Sequence, residues 1–283
     1  MPSLNCGSHL LCLDRPLIMG IVNVTADSFS GDGHAHMDLA DALRHAELLI
    51  AEGADMLDIG GESSRPGAVS VSEAEELDRV LPLLEALRGC GVPLSVDTVK
   101  PGVMRAAIAA GADLINDIAA LQAPGALDAV ANSTAAVCLM HMQGKPGTMQ
   151  AAPHYADVVQ EVMHFLAERV AAAEAAGIAR ERIVLDPGFG FGKTLAHNQT
   201  LFKALPRFEH FALPLLVGVS RKSMLGQITG RTVDERMPAS IAAAMLAARN
   251  GAAIIRVHDV GATKDALAVL SALDNADLSG ETR

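Results

Sequence analysis

Tryptophan is absent from this chain, and rings are scarce, with one tyrosine and seven phenylalanines among 283 residues. That excludes a core or an interface built on large aromatics. Packing is left to Leu, Ile, Val, Ala and Met, which suits helices laid on the outer face of a parallel sheet. Cysteine is sparse too: Cys6, Cys12, Cys90 and Cys138 show no CxxC spacing. They read as free thiols in a reducing compartment, not as a disulfide frame or a zinc knuckle. No apolar run approaches the roughly 18 residues of a membrane span, since AAVCLMHM is too short. The start MPSLNCGSHLLCLDRP has no basic stretch followed by a clean apolar one, so no signal peptide is expected and the cytosol is the default location. Positive charge is outnumbered, 22 Lys and Arg against 33 Asp and Glu for a net charge of -11, which argues against nucleic acid or anionic membrane as a partner. No GxGxxG follows the first apolar run, which weakens a dinucleotide-binding fold.

What the chain does have is a repeated unit. Short apolar runs end in a polar residue at Asn23, Asp58, Asp97, Asn116, His141, Asp186, Ser220 and Arg256. Between most of them lies an Ala/Leu/Glu-rich stretch of helical character, and AEGAD, AAGAD and RNGAA each close a helix with glycine before the next run. Strands are predicted at about 17–22, 55–59, 93–97, 113–116, 135–139, 182–186, 214–218 and 253–256, with helices at 38–53, from 72, from 101, 124–131, 157–176, 235–249 and 261–273. Eight βα repeats with no linker predict a single α/β domain over 1–283, a closed (β/α)8 TIM barrel at about 17–273. Residues 4–13 form a short hairpin that closes its bottom.

In such a barrel the chemistry sits at the C-terminal ends of the strands. Ser220, Arg221 and Lys222 follow the seventh strand, Arg256 and His258 the eighth, and Arg65 lies in GESSRPG after the second. Two arginines, a lysine and a histidine converging there suit a phosphorylated substrate. Asp97, Asn116 and Asp186 together can read the donor edge of a planar heterocycle; the alternative is that they cap the following helices. Asn23 offers one oxygen to a Mg²⁺ that a diphosphate already holds. His141 reads as a locally hydrogen-bonded side chain, not a metal ligand. PGFGFGK is one residue short of a phosphate loop, and its Phe189 or Phe191 is suited to lining a pocket.

The blocks GIVNVTADSFS, GGESSRPG, SVDT, NDI, CLMHMQG, LDPGFGFGK, GVSRKS and RVHDV, in this order over about 17–272, resemble the bacterial dihydropteroate synthases of folate biosynthesis. The resemblance implies a transferase that joins 6-hydroxymethyl-7,8-dihydropterin diphosphate to p-aminobenzoate with Mg²⁺ and releases diphosphate. It implies that Asp97, Asn116, Asp186 and Lys222 hold the pterin, with Met140 and Arg256 packed on it. Asn23, Arg65, Arg256 and His258 would hold the diphosphate and Mg²⁺. Ser64, Arg65, Pro66, Phe191, Lys222 and Ser223 would shape the aminobenzoate pocket, where sulfonamides compete. Asp97, Lys222, Arg256 and His258 are the expected catalytic set, loops 25–36 and 62–69 the expected covers, and a homodimer through the last helices the expected assembly. The sequence departs from the family pattern at Ala26, Gly31-Asp32, Ser64, Ala119-Ala120 and Pro238. A pterin-binding methyltransferase barrel is the alternative; it shares Asp97, Asn116 and Asp186 but lacks the diphosphate cations. A binding-only copy is a further one.

Overall fold

Seven-residue LIMGIVN, buried along all but its last position, forms β3 (Leu17–Asn23), the first of eight parallel strands. The computed structural model describes residues 3–24, 39–63, 65, 67–274 and 276. After β3 come α1 (Leu39–Glu52), β4 (Met56–Gly60), α2 (Glu73–Ala86), β5 (Leu94–Asp97), α3 (Pro101–Ala110), β6 (Leu114–Asp117), α4 (Ala126–Ala131), β7 (Ala136–Met140) and α5 (Val158–Ala175). The second half runs β8 (Ile183–Asp186), α6 (Leu195–Lys203), β9 (Leu216–Val217), α7 (Ser223–Thr229), α8 (Met237–Arg249), β10 (Ile254–Val257) and α9 (Val260–Asp274). The strands pair in the order β8-β7-β6-β5-β4-β3-β10-β9, and a parallel bridge between Leu185 and Leu215 closes the ring. The expected (β/α)8 barrel is therefore the observed one.

Local signals explain the boundaries. Ser72 caps α2 by accepting from the Glu75 N–H, and Glu73, Glu75 and Glu76 place negative charge in its first turn. Pro101 opens α3, where a missing N–H costs nothing. Gly53, Gly111 and Gly251 take left-handed φ of 99°, 108° and 95° between helix and strand, the conformation that glycine adopts without a Cβ penalty. Pro238 likewise lies in the first turn of α8 and leaves the helix intact.

The second half of the barrel differs from expectation. The seventh strand is shorter than 214–218: the strand proper is Leu216–Val217, with a single bridge at Leu215, and Pro214, which has no N–H, only accepts from the Leu185 N–H. Helices α6 and α7, and a 3-10 segment over Leu205–Phe211, fill what reads in the sequence as irregular connection.

Alternation sorts the side chains into two cores. Outward-facing Ile18, Leu57, Val96, Ile115, Val137 and Ile255 pack beneath the helices. Inward-facing Leu17, Met19, Met56, Leu114, Cys138 and Val184 fill the barrel, and Leu4 and Cys6 of the hairpin β1 (Ser3–Cys6) and β2 (His9–Cys12) join them as fully buried residues. The hairpin thus stoppers the N-terminal end. It is fixed there by Asp113, whose Oδ1 accepts from the Ser8 N–H at 3.0 Å and whose Oδ2 accepts from the Leu94 N–H at 3.1 Å. Among the described residues no helix is long and apolar enough to cross a membrane.

Candidate active site

Two residues on from the apolar filling, four strands turn polar at the inward position: Met56 gives way to Asp58, Leu114 to Asn116, Val184 to Asp186 and Ile254 to Arg256, while on β5 Ser95 is followed by Asp97. Strand register sets neighbours, pairing Asp58 with Ser95, Asp97 with Asn116 and Met140 with Asp186. Asp58, fully buried, is the hub. It accepts from Ser95 Oγ at 2.6 Å, from Asn116 Nδ2 at 3.0 Å and from Arg256 Nε at 2.6 Å. Arg256 also donates to Asp97 Oδ2, at 3.3 Å.

Because the Asn116 amide nitrogen is committed to Asp58, its Oδ1 is left as a buried acceptor that no described residue satisfies. A buried acceptor without a partner costs free energy until a donor arrives. Capping is not the role of these groups: the residue before α3 is Lys100, without a side-chain cap, and its N–H goes to Thr98 Oγ1. Asp186 does have a local duty, accepting the Gly188 N–H at 2.7 Å.

Charge is unbalanced in this shelf. Asp58, Asp97 and Asp186 face Arg256 and Lys222. Burial and the Asp58 charge push the Asp97 carboxyl up to about 7. Burial also raises Asp186, against the pull of Lys222. Burial lowers Lys222 to about 8, although Asp186 favours its charge. Burial opposes the Arg256 cation as well, but Asp58 and Asp97 outweigh it and raise its pKa. Such a shelf favours a ligand rich in N–H donors or carrying developing positive charge.

An apolar edge adjoins the polar one. Ile118, Met140, Met149 and Phe191 form a buried cluster of their own. Lys222 Nζ lies 4.7 Å from the Phe191 ring centroid and donates to the Phe189 carbonyl at 2.5 Å. Ser223, exposed, opens α7 beside Lys222.

The side toward β10 differs from expectation at Arg221. Arg221 is not free for substrate: it pairs with Asp259 through Nε at 3.1 Å and a second nitrogen at 2.5 Å. His258 is not a cation. Burial, with the charges of Arg256 and Arg221, lowers it to about 3. Ser220 Oγ accepts from the His258 N–H at 3.3 Å and lies 3.0 Å from Nδ1, so its own proton can go to Nδ1 and leave Nε2–H as a neutral donor. The Arg65 charge reaches His258 as well, which places it on this side. Asn23 ends β3 with its Oδ1 next to Gly60, 3.6 Å from where a Cβ there would stand.

Ser64, Pro66, Ala26, Gly31-Asp32 and the 25–36 loop lie outside the described residues. The Ala119-Ala120 pair forms a turn held by Asp117, which accepts from the Ala119 and Leu121 N–H groups at 2.7 Å each. Sequence reasoning placed Asp58 at a strand end but gave it no role, and it passed over Ser95, Ile118 and Lys193. Asp58 had a visible signal, its place at a strand end. His141 is locally hydrogen-bonded as expected, with Nδ1 at 2.9 Å from Lys193 Nζ. Among the described residues no group of three His, Cys, Asp or Glu side chains is arranged to hold a metal ion.

Comparison with known proteins places this geometry. The pterin binding enzyme family matches residues 19–258. The chain is 54% identical to the dihydropteroate synthase of Escherichia coli strain K12 over 263 residues, 93% of each chain. It superimposes on the Xanthomonas albilineans dihydropteroate synthase solved with 4-aminobenzoic acid at a TM-score of 0.92 and 54% identity, covering 98% of this chain and 99% of that one. The Burkholderia cenocepacia dihydropteroate synthase complexed with 7,8-dihydropteroate gives a TM-score of 0.87 at 53% identity, covering 96% of each.

Proposed function

The chain belongs to the dihydropteroate synthase family of pterin-binding enzymes, and from that premise we propose that its strand-end shelf joins 6-hydroxymethyl-7,8-dihydropterin diphosphate to p-aminobenzoate, releasing diphosphate. The observation that carries the assignment to this shelf is the surplus of buried carboxylate around one orphaned amide oxygen, next to an apolar edge and an arginine. The pterin ring presents N–H donors to Asn116 Oδ1, Asp97 and Asp186, and its flat face rests on Met140 and Arg256.

Bond breaking between the pterin methylene and the diphosphate oxygen sends the electron pair to diphosphate and leaves positive charge on the methylene. Asp97, when ionised, stabilises that charge. The departing anion is received by Arg256, Arg65 and the neutral Nε2–H of His258. Asn23 suits a Mg²⁺ held jointly with diphosphate oxygens, since a single amide oxygen is a normal protein share for that ion. Bound there, Mg²⁺ would neutralise part of the diphosphate charge. The aromatic amine, held against Phe191 and Lys222 with Ser223 and residues 64–66 at the pocket edge, attacks the methylene through its nitrogen lone pair and then loses a proton to water. No covalent enzyme intermediate is needed. Exposed Leu246, Val269 and Leu273 on α8 and α9 support a homodimer through these helices.

The test is diphosphate release by the purified protein, given the pterin diphosphate and Mg²⁺, with and without p-aminobenzoate. Release that requires p-aminobenzoate, matched by equal dihydropteroate, supports the proposal. Tight binding without release indicates a binding-only copy.

A further inference from the structure

The loop between β8 and α6 holds a turn, the Phe191 N–H donating to Gly188 O at 3.2 Å, and each carbonyl from Gly188 to Gly192 meets a side-chain donor. Lys193 Nζ donates to Gly188 O at 2.8 Å and to Phe191 O at 3.1 Å. Lys222 takes Phe189 O, and the exposed Gln150 takes Gly190 O. Tyr155 Oη donates to Gly192 O at 2.8 Å. Gly188, Gly190 and Gly192 hold left-handed φ of 70°, 80° and 61°, which turns the carbonyls toward these donors. Lys193 itself is 3% exposed and its Nζ has no carboxylate within bonding distance among the described residues; it also lies 2.9 Å from His141 Nδ1 and 3.4 Å from His141 O. Two carbonyls and one imidazole nitrogen at 2.8–3.1 Å match the three positions of an amine nitrogen. His141 follows β7, and its ring is wedged edge-on against Phe165 of α5 at 5.0 Å. The lysine therefore anchors the loop to the rigid wall of the barrel.

We propose that Lys193, assisted by Tyr155, is a positioning residue for the aromatic-amine substrate: it fixes the Gly188–Gly192 loop so that the Phe191 ring and the Phe189 carbonyl hold Lys222 at the amine's seat. The inference rests on the proposed function above for its kinetic consequence, but not for its structural one. It also accounts for the phosphate-loop likeness of GFGFGK. The lysine points inward to carbonyls and is spent on loop geometry, so it has no phosphate to meet. Of the proposed pterin contacts, Asp97 and Asn116 lie on other strands and only Asp186, which accepts the Gly188 N–H at 2.7 Å, adjoins the loop, so the amine's seat depends on the loop more than the pterin's does.

Lys193→Met keeps the length of the side chain and removes the donors; Tyr155→Phe removes a single donor and keeps the ring. Both variants and the wild type are compared by hydrogen exchange of the peptide spanning residues 187–194 and by steady-state kinetics in both substrates. Faster exchange in that peptide, with KM for p-aminobenzoate raised at least tenfold in Lys193→Met and about threefold in Tyr155→Phe while KM for the pterin diphosphate stays within about threefold, is the expected result. Unchanged exchange, or equal rises in both KM values, overturns the proposal. If Lys193→Met does not fold, Tyr155→Phe decides by the same criteria. If the wild type shows no p-aminobenzoate-dependent turnover, the proposed function fails, and the exchange comparison still judges the clamp.

Discussion

Arg256 donates through Nε to Asp58 Oδ2 at 2.6 Å, and this bond ties strand β10 to strand β4 across 198 positions of sequence. Asp58 is fully buried and also holds Ser95 and Asn116. Asp58→Asn keeps the shape but leaves the arginine short of a counter-charge. The expected outcome is a loss of about 100-fold in kcat/KM, on the order of 3 kcal/mol, from a protein that still folds. Steady-state kinetics checks this, and wild-type values in the variant would remove Asp58 from the site's design.

Asn116 contributes an acceptor rather than a donor to the cavity, because its Nδ2 is bound to Asp58. Asn116→Leu should weaken binding of an unreactive pterin by about 10- to 100-fold, the ~1–3 kcal/mol of one buried hydrogen bond. Calorimetric titration measures it.

Asp97 sets a pH dependence. In the free folded protein its carboxyl keeps a proton up to about 7, whereas an unperturbed aspartate loses it near 3.8. Between those values the folded state binds more protons than the unfolded one. This group's contribution to stability is therefore full below the lower value and is lost as pH rises toward about 7. A pterin that needs the carboxylate behaves oppositely: its affinity rises with pH and levels off above about 7, with proton uptake by the buffer on binding below that. Asp97→Asn should flatten the profile. A wild-type affinity independent of pH from 5 to 8, roughly the range where such a group titrates, would contradict this assignment.

The stopper at the barrel's lower end is separable from the chemistry. Leu4 is 0% exposed among the first residues of the strands. Leu4→Ala should cost about 2–5 kcal/mol of unfolding free energy by leaving a cavity, with kcat/KM unchanged. Denaturant melts and kinetics on the same preparation test both halves.

Much of this was readable before any coordinates. A run such as LIMGIVN ending in Asn23, or MLD ending in Asp58, carries its own strand assignment and direction. Helix α6, LAHNQTLFK, was not readable, since it buries only Asn198 and Leu201 and shows no apolar stripe. Helix α7 is seven residues long and offers too few turns for periodicity to register. In the site, the polar strand ends are legible in the sequence, but the bonds they make to each other are not. The Asp58–Arg256 bond joins distant strands, and the Lys193 side chain turns inward where the sequence shows only a glycine-rich stretch ending in a cation. The sequence could not show the charge state of His258 for the same reason: a neutral imidazole follows from burial and neighbouring arginines, which only the folded chain assembles.

The antiparallel hairpin under the barrel has a consequence for traffic. With Leu4 and Cys6 filling the lower end of the barrel, the polar strand-end shelf is reached from the side of the strand tips. Under the proposed reaction, a pterin held at Asp97, Asn116 and Asp186 would enter ahead of the aromatic amine, and diphosphate and product would leave on the side by which the substrates came.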